Sequence, residues 1–421
     1  MSAQSATRVM FSQDRISQVI FDYAAKIGAA QDLDALLVLN AGMARDLLGA
    51  DRCSIWLVDA KNNRLWTKVA HGVAELQISM GQGLVGACIA HNETIVVNDT
   101  SQDARFLKRV DIESGYVTRS VLTLPLHGTN GKPIGALQVL NKPGGFTQDD
   151  VELLGLCSAY SASTLETQRL RREAEAAQLL LQELEIARDV QQHLLPQSVP
   201  VIPGLDLAGY CRSAKFVGGD YYDFLPMPDG GLFFTLGDVS GKGIAAAVLM
   251  ASLQASLRSQ VVKPPESLGV LISEFNKTVY SFSTADKYST LFCGMWNAQD
   301  RKLTYVNAGQ VRPLLLRADG RAPEQLATGG VPVGLIPAWD YEQAEVPFGP
   351  GDAIVCFSDG VSEATNSMSE MWDENKVEEV VRTCRGLSAQ QIIDRLLQET
   401  DRFAGDAEQS DDITIIAIRG I

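Results

Sequence analysis

A segment without proline divides this chain into two parts. Residues 147–195 contain no proline and a single glycine, Gly155, and from Leu165 onward they are rich in Glu, Gln, Arg, Ala and Leu. These residues have high helix propensity, so the segment predicts one long, exposed helix that ends at Pro196. Because 421 residues are enough for two or three domains, we expect one domain before this helix and one after it.

The later part of the helix carries a heptad pattern. Leucine or alanine occupies most a and d positions, at Leu170, Ala177, Leu180, Leu184, Ala187 and Leu194. Glu173 and Gln191 interrupt the pattern. We therefore predict a short, imperfect coiled coil over residues 166–196 that joins two copies of the chain in parallel. Together with the domain before it, this helix would form a homodimer. A single solvated helix is the alternative.

Composition excludes several classes of protein. Asp and Glu number 51 against 36 Lys and Arg, whereas a general nucleic-acid binder needs a basic surface. The chain has neither a long apolar run nor the pattern of a signal peptide, so we predict no membrane span and a cytoplasmic location. Most of the acidic surplus lies after residue 195, where it is either solvated surface or part of a cluster that binds divalent cations.

The part before the long helix combines helices and strands. Residues 15–48 have the spacing of two amphipathic helices, and Gly81–Gly86 opens a third, short helix. Apolar runs predict strands at Cys53–Val58, Leu65–Val69, Thr94–Val97, Ser120–Leu126 and Ile134–Asn141. This pattern, followed by a long signalling helix, resembles the GAF family of small-molecule sensors over residues 15–165. The resemblance rests on the Gly81–Gly86 segment and on the last two strands.

Four residues near the end of this domain resemble a ligand-binding motif. Asn141, Lys142, Phe146 and Asp150 match the N-K…F…D pattern of GAF domains that bind cyclic nucleotides, although Val151 replaces a second acid. The resemblance implies that a Lys142–Asp150 pair locks the domain around a small molecule such as a cyclic nucleotide. Alternatively, these residues form a surface ion pair at a strand–helix corner, and the ligand is a different small molecule or none.

In the second half of the chain, aspartates recur at the ends of apolar strands. Asp238 and Asp359 each follow a strand, Asp411 and Asp412 open the last one, and Asp220 lies in the sequence G-G-D-Y-Y-D. A lone aspartate beside glycine is typical of a turn. Several carboxylates at strand ends, without histidine or cysteine, are instead typical ligands of Mg²⁺ or Mn²⁺. Two such ions can activate a shared water for in-line attack on a phosphoryl group.

A glycine-rich run around one of these aspartates invites comparison with a phosphate-binding P-loop. The run Gly237–Gly243 reads G-D-V-S-G-K-G, with only three residues between its first glycines and a glycine after the lysine. A P-loop needs four residues between the glycines and then Lys-Ser or Lys-Thr. The glycines therefore favour a backbone that passes close to a metal ion.

Taken in order, these motifs resemble the SpoIIE-type branch of the metal-dependent PPM serine/threonine phosphatases, over residues 197–421. The set is G-G-D-x-Y-D, D-V-S-G-K-G, S-D-G-V-x-E-A and D-D-I-T. The resemblance implies an α-β-β-α sandwich with two Mn²⁺ or Mg²⁺ ions in a cleft at one edge. The expected fold class is therefore α+β, with a GAF sensor domain, a helical coiled-coil linker and this sandwich.

The resemblance also implies roles for individual residues. Asp238 would bridge both ions with the help of the Val239 carbonyl, Asp220 would bind the second ion, and Asp359 and Asp411 would hold the first. Candidates for supporting these ligands without binding the ions are Asp223, Lys242 and Asp412. Two departures from the family pattern, which bear on substrate choice, are Gln310 in place of histidine and Ser213 in place of proline.

Together, the residues and the resemblance predict a sensor-regulated protein serine/threonine phosphatase of a bacterial partner-switching pathway. The implied substrate is a phosphorylated anti-sigma-factor antagonist, a small STAS-type protein. The alternatives are an inactive scaffold that binds its partner and a phosphoesterase that acts on small molecules. We further hypothesise that the GAF domain acts by moving residues Ala187–Leu195 against Gly241–Ala247, next to Asp238.

Overall fold

The computed structural model describes residues 13–30, 33–69, 76–262, 267–284 and 287–421. The chain forms two compact units, Met1–Gln178 and Leu179–Ile421, and the division between them lies inside a long helix. Each unit has hydrophobic clusters of its own.

The first unit is built on an antiparallel sheet whose strands lie in the order β3-β2-β1-β6-β5-β4. The strands are β1 (Arg52–Asp59), β2 (Arg64–Val69), β3 (Leu76–Ser79), β4 (Ile95–Val97), β5 (Val121–His127) and β6 (Pro133–Leu140). The helices are α1 (Gln13–Ala29), α2 (Leu33–Leu48), α3 (Gly83–His91), α4 (Lys108–Ser114) and the beginning of α5 (Gln148–Leu194).

Both faces of this sheet are covered, because successive side chains in a strand point in opposite directions. On β1, Ile55 packs with residues of α1, α2 and the beginning of α5, including Leu37 and Leu154. The next residue, Trp56, packs on the other face with Leu84 of α3. The first unit is therefore a sheet between helices, and the predicted combination of helices and strands is confirmed.

The segment without proline forms a single helix of 47 residues, α5. Asp149 and Asp150 lie in its first turn, where negative charge is favourable. The predicted long helix is confirmed. Its heptad leucines Leu170 and Leu180 are 50% and 55% exposed, so this part of the predicted seam is not packed within the chain.

The second unit contains two sheets. One has the order β14-β11-β10-β9-β8, with β15 also paired to β11, and the other has the order β13-β12-β16-β17-β7. The strands are β7 (Leu205–Arg212), β8 (Tyr221–Pro226), β9 (Leu232–Val239), β10 (Ser289–Asn297), β11 (Lys302–Ala308), β12 (Leu314–Leu316), β13 (Glu324–Gln325), β14 (Gly329–Gly330), β15 (Ala344–Pro347), β16 (Ala353–Phe357) and β17 (Ile413–Gly420). The helices are α6 (Ile244–Val261), α7 (Leu268–Phe282), α8 (Asp359–Ser362), α9 (Glu374–Thr383) and α10 (Ala389–Ala404).

These elements form four layers. Phe234 of β9 packs between the two sheets with Ile416 of β17. Its neighbour Phe233 points to the opposite face and packs beneath α6 and α7, against Phe275. Helices α9 and α10 cover the other sheet, where Ile392 is fully buried. The second unit is therefore the predicted α-β-β-α sandwich.

Three details of the first unit differ from the sequence-based prediction. Strand β3 (Leu76–Ser79) lies outside every predicted apolar run. Helix α4 was not predicted, because its seven residues are too few to show an amphipathic period. Strand β6 ends at Leu140, before Asn141, whose φ of 53° is left-handed and takes it out of the strand. Among the helices that the structure describes, none combines the length and the apolar character that a membrane crossing requires.

Candidate metal centre

Each sheet of the second unit brings two of the predicted aspartates to the same edge. Asp220 directly precedes β8 and Asp238 is the last residue but one of β9, and these strands pair antiparallel, with Tyr221 opposite Gly237. In the other sheet, Asp359 follows β16 and Asp411 precedes β17, which pair antiparallel in the same way. Strand pairing thus makes Asp220 a neighbour of Asp238 in one sheet and Asp359 a neighbour of Asp411 in the other.

The backbone of Gly219 lies against the Asp238 carboxylate. A side-chain carbon added to Gly219 would lie 3.3 Å from Asp238 Oδ1 and 2.8 Å from the carbonyl oxygen of Val239. Because Gly219 has no side chain, space remains next to Asp238 Oδ1 and the Val239 carbonyl oxygen. The family resemblance implies that these two oxygens are ligands of the same ions.

Charges from both sheets act on Asp238. Burial, followed by the charges of Asp359, Asp411 and Asp412, raises the pKa of Asp238 to about 7. Burial and the charge of Asp411 likewise raise the pKa of Asp359 to about 6. Carboxylates this close together repel one another unless protons or cations neutralise them.

Asp220 is the most deeply buried of the four, with 3% of its surface exposed. Burial and the charge of Asp238 hold the pKa of Asp220 well above its usual range, and the hydroxyls of Thr414 and Ser358 only partly offset this. Its Oδ2 is the one buried side-chain oxygen or nitrogen, in the part of the chain that the structure describes, that has no hydrogen-bond partner. An unpaired buried carboxylate oxygen is unfavourable unless a cation is present.

Asp411 lies against a lysine. Lys242 Nζ is 2.7 Å from Asp411 Oδ2 and also donates to the carbonyl oxygen of Ser410, at 2.8 Å. Over the described residues, no three acidic, histidine or cysteine side chains are arranged around one point as a metal ion requires. The donor set, all oxygen, and the orphaned Asp220 oxygen nevertheless fit hard divalent cations such as Mg²⁺ or Mn²⁺.

Asp412 supports the loop that carries Asp220. Its carboxylate accepts hydrogen bonds from the backbone N–H groups of Ala214, at 2.8 Å, and Gly219, at 2.7 Å. A side-chain carbon on Gly218 would lie 2.0 Å from Asp412 Oδ2, so that position requires glycine. Asp412 therefore holds the backbone beside Asp220, and its role in supporting a metal ligand stays a prediction.

The prediction for Asp223 was wrong. Asp223 is buried within β8 and forms a two-pronged ion pair with Arg258 of α6, with Nε–Oδ2 and Nη2–Oδ1 distances of 2.6 and 3.0 Å. The motif places Asp223 close to Asp220 in sequence, but strand β8 begins between them and directs Asp223 towards α6. It joins a strand to a helix rather than supporting a metal ligand.

Gln310 connects the two sheets below the aspartates. It is buried, accepts a hydrogen bond from Thr290 Oγ1 and donates through Nε2 to the carbonyl oxygen of Phe357, at 3.3 Å. Thr290 is opposite Asp238 in the ladder, and Phe357 ends β16 just before Asp359. Gln310 thus links β10, the strand paired with the one that carries Asp238, to the end of β16 just before Asp359. These internal bonds argue against a direct contact with substrate.

Sequence reasoning missed the role of Gln191, which it treated only as an interruption of the heptad. Gln191 is buried at the end of α5, where its Nε2 donates to the carbonyl oxygen of Gly218 at 2.6 Å. The N–H of Gly218 donates to Gln191 Oε1 at 3.0 Å. One turn later, the carbonyl of Leu194 accepts a hydrogen bond from Gln254 of α6. The helix end therefore bonds to the Asp220 loop, whereas the hypothesis placed its action at Gly241–Ala247.

In the first unit, the four motif residues form the corner between β6 and α5. Asn141 accepts from the N–H groups of Arg119 and Ser120 and donates to Tyr116 and Val117. Lys142 pairs with Asp150, which also accepts from the N–H of Thr147, and Phe146 is part of the core. All of these bonds are within the protein.

A cavity of about 90 Å³ lies elsewhere in this unit, and its lining does not include Asn141, Lys142, Phe146 or Asp150. Its walls are mostly apolar, with Trp56, Phe106 and Leu107 among them. Arg52 and Tyr116 add polar groups to the lining. The guanidinium of Arg52 lies 3.9 Å from the centre of the Tyr116 ring. The space is enough for several waters or a small organic ligand.

Comparison with known proteins assigns both units. Residues 32–165 match the GAF domain, and residues 228–420 match Stage II sporulation protein E (SpoIIE). Over 273 residues the chain is 30% identical to Phosphoserine phosphatase RsbU of Bacillus subtilis (strain 168), which covers 63% of this chain and 78% of RsbU. The chain belongs to the SpoIIE family of phosphatases. This confirms the predicted resemblance, with a GAF domain joined to a phosphatase domain.

Two further similarities agree with this assignment. Over 308 residues this chain is 26% identical to Protein IcfG of Synechocystis sp.. The match covers 48% of IcfG, so this chain spans about half the length of that relative. The SiaA-PP2C domain of Pseudomonas aeruginosa superposes with a TM-score of 0.52 at 20% identity, over 59% of this chain and 100% of that domain. At this identity the likeness shows the fold alone, which is that of a PP2C-type phosphatase domain.

Proposed function

We propose that this SpoIIE-family chain is a metal-dependent protein serine/threonine phosphatase whose activity the GAF domain regulates. The observation that carries the proposal is the group of four strand-end aspartates, Asp220, Asp238, Asp359 and Asp411, with one buried oxygen left without a partner. Carboxylates that are buried together destabilise the folded protein unless cations neutralise their charge. Two Mn²⁺ or Mg²⁺ ions would neutralise it.

The proposed chemistry divides between the ions and the protein. Bound divalent cations would supply Lewis acidity and an activated water for attack on phosphorus, without a phosphoenzyme. Asp238 and the Val239 carbonyl would hold both ions, Asp220 the second, and Asp359 and Asp411 the first. Asp412 fixes the loop of Asp220 through backbone N–H groups, and Gln310 fixes the spacing of the two sheets.

The proposed substrate is a phosphorylated serine or threonine on a small folded protein, a STAS-type anti-sigma-factor antagonist. The site supports a macromolecular substrate because it reaches the surface: the side chains of Asp411 and Lys242 are 32% and 46% exposed. The similarity to RsbU, whose name states that it is a phosphoserine phosphatase, supports the class of reaction. The wider partner-switching pathway is part of the same proposal.

The test compares two substrates with one preparation of the full chain. Phosphate release is measured from a phosphorylated STAS protein and from p-nitrophenyl phosphate, each with and without Mn²⁺. We expect Mn²⁺-dependent release, with kcat/KM at least about 100-fold higher for the phosphoprotein, because binding energy from a folded partner accelerates the step. Equal or better turnover of the aryl phosphate identifies a small-molecule phosphoesterase, and no turnover of either identifies an inactive scaffold.

We also propose how the first unit communicates with the site. A small molecule, with a cyclic nucleotide as one candidate, would bind in the first unit, and the cavity beside Arg52 and Trp56 offers the space. The Lys142–Asp150 pair would stabilise the β6–α5 corner from which α5 begins. At the other end of α5, Gln191 bonds to Gly218, two residues before Asp220. A change in α5 would thereby reach a metal ligand.

A further inference from the structure

Lys242 connects two of the loops that form the candidate metal centre. It follows Asp238 in the loop between β9 and α6, and its ammonium group reaches the loop before β17, where it contacts Asp411 and the carbonyl of Ser410. A lysine ammonium group is positively charged at neutral pH, so Lys242 places a positive charge beside these carboxylates.

The ammonium group of Lys242 affects how a divalent ion can bind to Asp411. A carboxylate whose Oδ2 is 2.7 Å from an ammonium group already has a cation as its partner. A divalent ion that uses the same oxygen must displace the ammonium group or share the carboxylate with it, and in both cases it approaches a positive charge.

We propose that Lys242 is the resident counter-ion of the metal centre and competes with a divalent cation for Asp411. In the absence of metal it neutralises part of the carboxylate cluster, and on metal binding it releases Asp411. The competition keeps affinity for the ion at Asp411 lower than the carboxylates alone would give. This inference rests on the proposed function, because it requires that Asp411 binds an ion.

A purely structural role for Lys242 predicts the opposite change in affinity for the metal ion when the lysine is removed. If the lysine served mainly to hold Asp411 in the correct place, its removal would weaken metal binding. If it competes, its removal strengthens binding. Arginine at this position keeps the charge, and Lys302 provides a matched control, since it is also an exposed lysine paired with a carboxylate, Glu345, at 3.5 Å.

The test is isothermal titration of Mn²⁺ into the metal-free full chain, with circular dichroism to confirm the fold of each variant. We expect Lys242→Met to bind Mn²⁺ about fivefold more tightly than the unmodified chain, because one positive charge next to a ligand is lost. Lys242→Arg and Lys302→Met should match the unmodified chain. Unchanged or weaker binding by Lys242→Met overturns the proposal.

Asp411→Asn separates this inference from the proposed function. It should weaken Mn²⁺ binding at least about tenfold in the same titration, because a charged ligand is removed. If Asp411→Asn weakens binding and Lys242→Met does not strengthen it, only the role of Lys242 is wrong. If the unmodified chain binds no Mn²⁺, both the metal-dependent function and the competition are wrong.

Discussion

At the scale of single residues, the carboxylates of the second unit destabilise the metal-free chain. Burial and neighbouring charges raise the pKa of Asp238 to about 7 and that of Asp359 to about 6, and Asp220 has an oxygen without a partner. In an unfolded chain these groups ionise near their ordinary pKa of about 4. The folded chain therefore holds protons that the unfolded chain releases.

This difference predicts how stability depends on pH. A raised pKa in the folded state gives a contribution to stability that is full below about pH 4 and is lost as the pH rises through about 7. The metal-free chain should therefore have a free energy of unfolding lower by roughly 1–2 kcal/mol at pH 7.5 than at pH 5.5. Denaturant unfolding in EDTA at the two pH values measures this difference in the free energy of unfolding.

Asp238→Asn provides the matched comparison for this pH effect. The variant removes one of the raised carboxylates, so its stability should fall less between pH 5.5 and 7.5, while Asp406→Asn, at an exposed position, should behave like the unmodified chain. A stability that rises with pH in the unmodified chain would show that the carboxylates are not crowded as described.

The sequence predicts where the four strand-end aspartates lie but not all of their neighbours, for a physical reason. Asp220, Asp238, Asp359 and Asp411 all stand next to strands, so their positions follow from strand pairing, which the motifs indicate. The direction of Asp223 depends on where β8 begins, and the pairing with Arg258 joins residues 35 apart. A motif of six residues contains no information about such a partner.

At the scale of elements, the end of α5 is bonded into the phosphatase unit at two points. Gln191 exchanges two hydrogen bonds with the backbone of Gly218, and the Leu194 carbonyl accepts one from Gln254. The length of α5 was predictable, because proline and glycine are excluded over many turns. The function of Gln191 was not, although a buried polar residue at an a position of a heptad is a signal that it has a specific partner.

This arrangement predicts the effect of removing Gln191. Gln191→Ala deletes both hydrogen bonds to Gly218. The buried N–H and carbonyl of Gly218 then lose these partners, which loosens the loop of Asp220. We expect basal turnover to fall about tenfold, with the loss appearing as weaker apparent affinity for Mn²⁺. Phosphate release as a function of Mn²⁺ concentration measures both.

Gln192 is the matched control, because it is the next residue of the same helix and is exposed. Gln192→Ala should leave turnover unchanged. An insertion of three residues near Glu183 should act like Gln191→Ala, since it rotates the helix end relative to the part that precedes it. If Gln191→Ala and Gln192→Ala have equal activity, α5 is a passive connection.

At the scale of the whole molecule, we expect the chain to act as a homodimer. The heptad positions Leu170 and Leu180 are half exposed within the chain, and the seam predicts a parallel partner helix. Both units were predictable as α+β domains, because alternating strand and helix patterns and the metal motifs span most of the chain. The partner and the ligand lie outside the chain, so their identity depends on chemistry that the fold alone does not specify.

The dimer can be tested with substitutions on a single helix. Changing both Leu170 and Leu180 to glutamate places charges at a and d positions, so we expect light scattering to show a monomer or a dimer weakened at least about tenfold. Leu179→Glu is the control, because Leu179 is 63% exposed but lies outside the a and d positions. A double variant that remains as dimeric as the control would place the contact elsewhere.

We propose that the strand-end aspartates form a metal centre that hydrolyses a phosphoprotein. The most direct measurement is phosphate release from a phosphorylated STAS protein by the EDTA-stripped full chain, with Mn²⁺, Mg²⁺ or Zn²⁺ added back, for the unmodified chain, Asp238→Asn and Asp406→Asn. We predict that Mn²⁺ or Mg²⁺ restores the activity of the unmodified chain and of Asp406→Asn, that Zn²⁺ restores it poorly, and that Asp238→Asn retains less than about 1%. Release that persists after exhaustive chelation, or near-normal turnover by a folded Asp238→Asn, would contradict the claim.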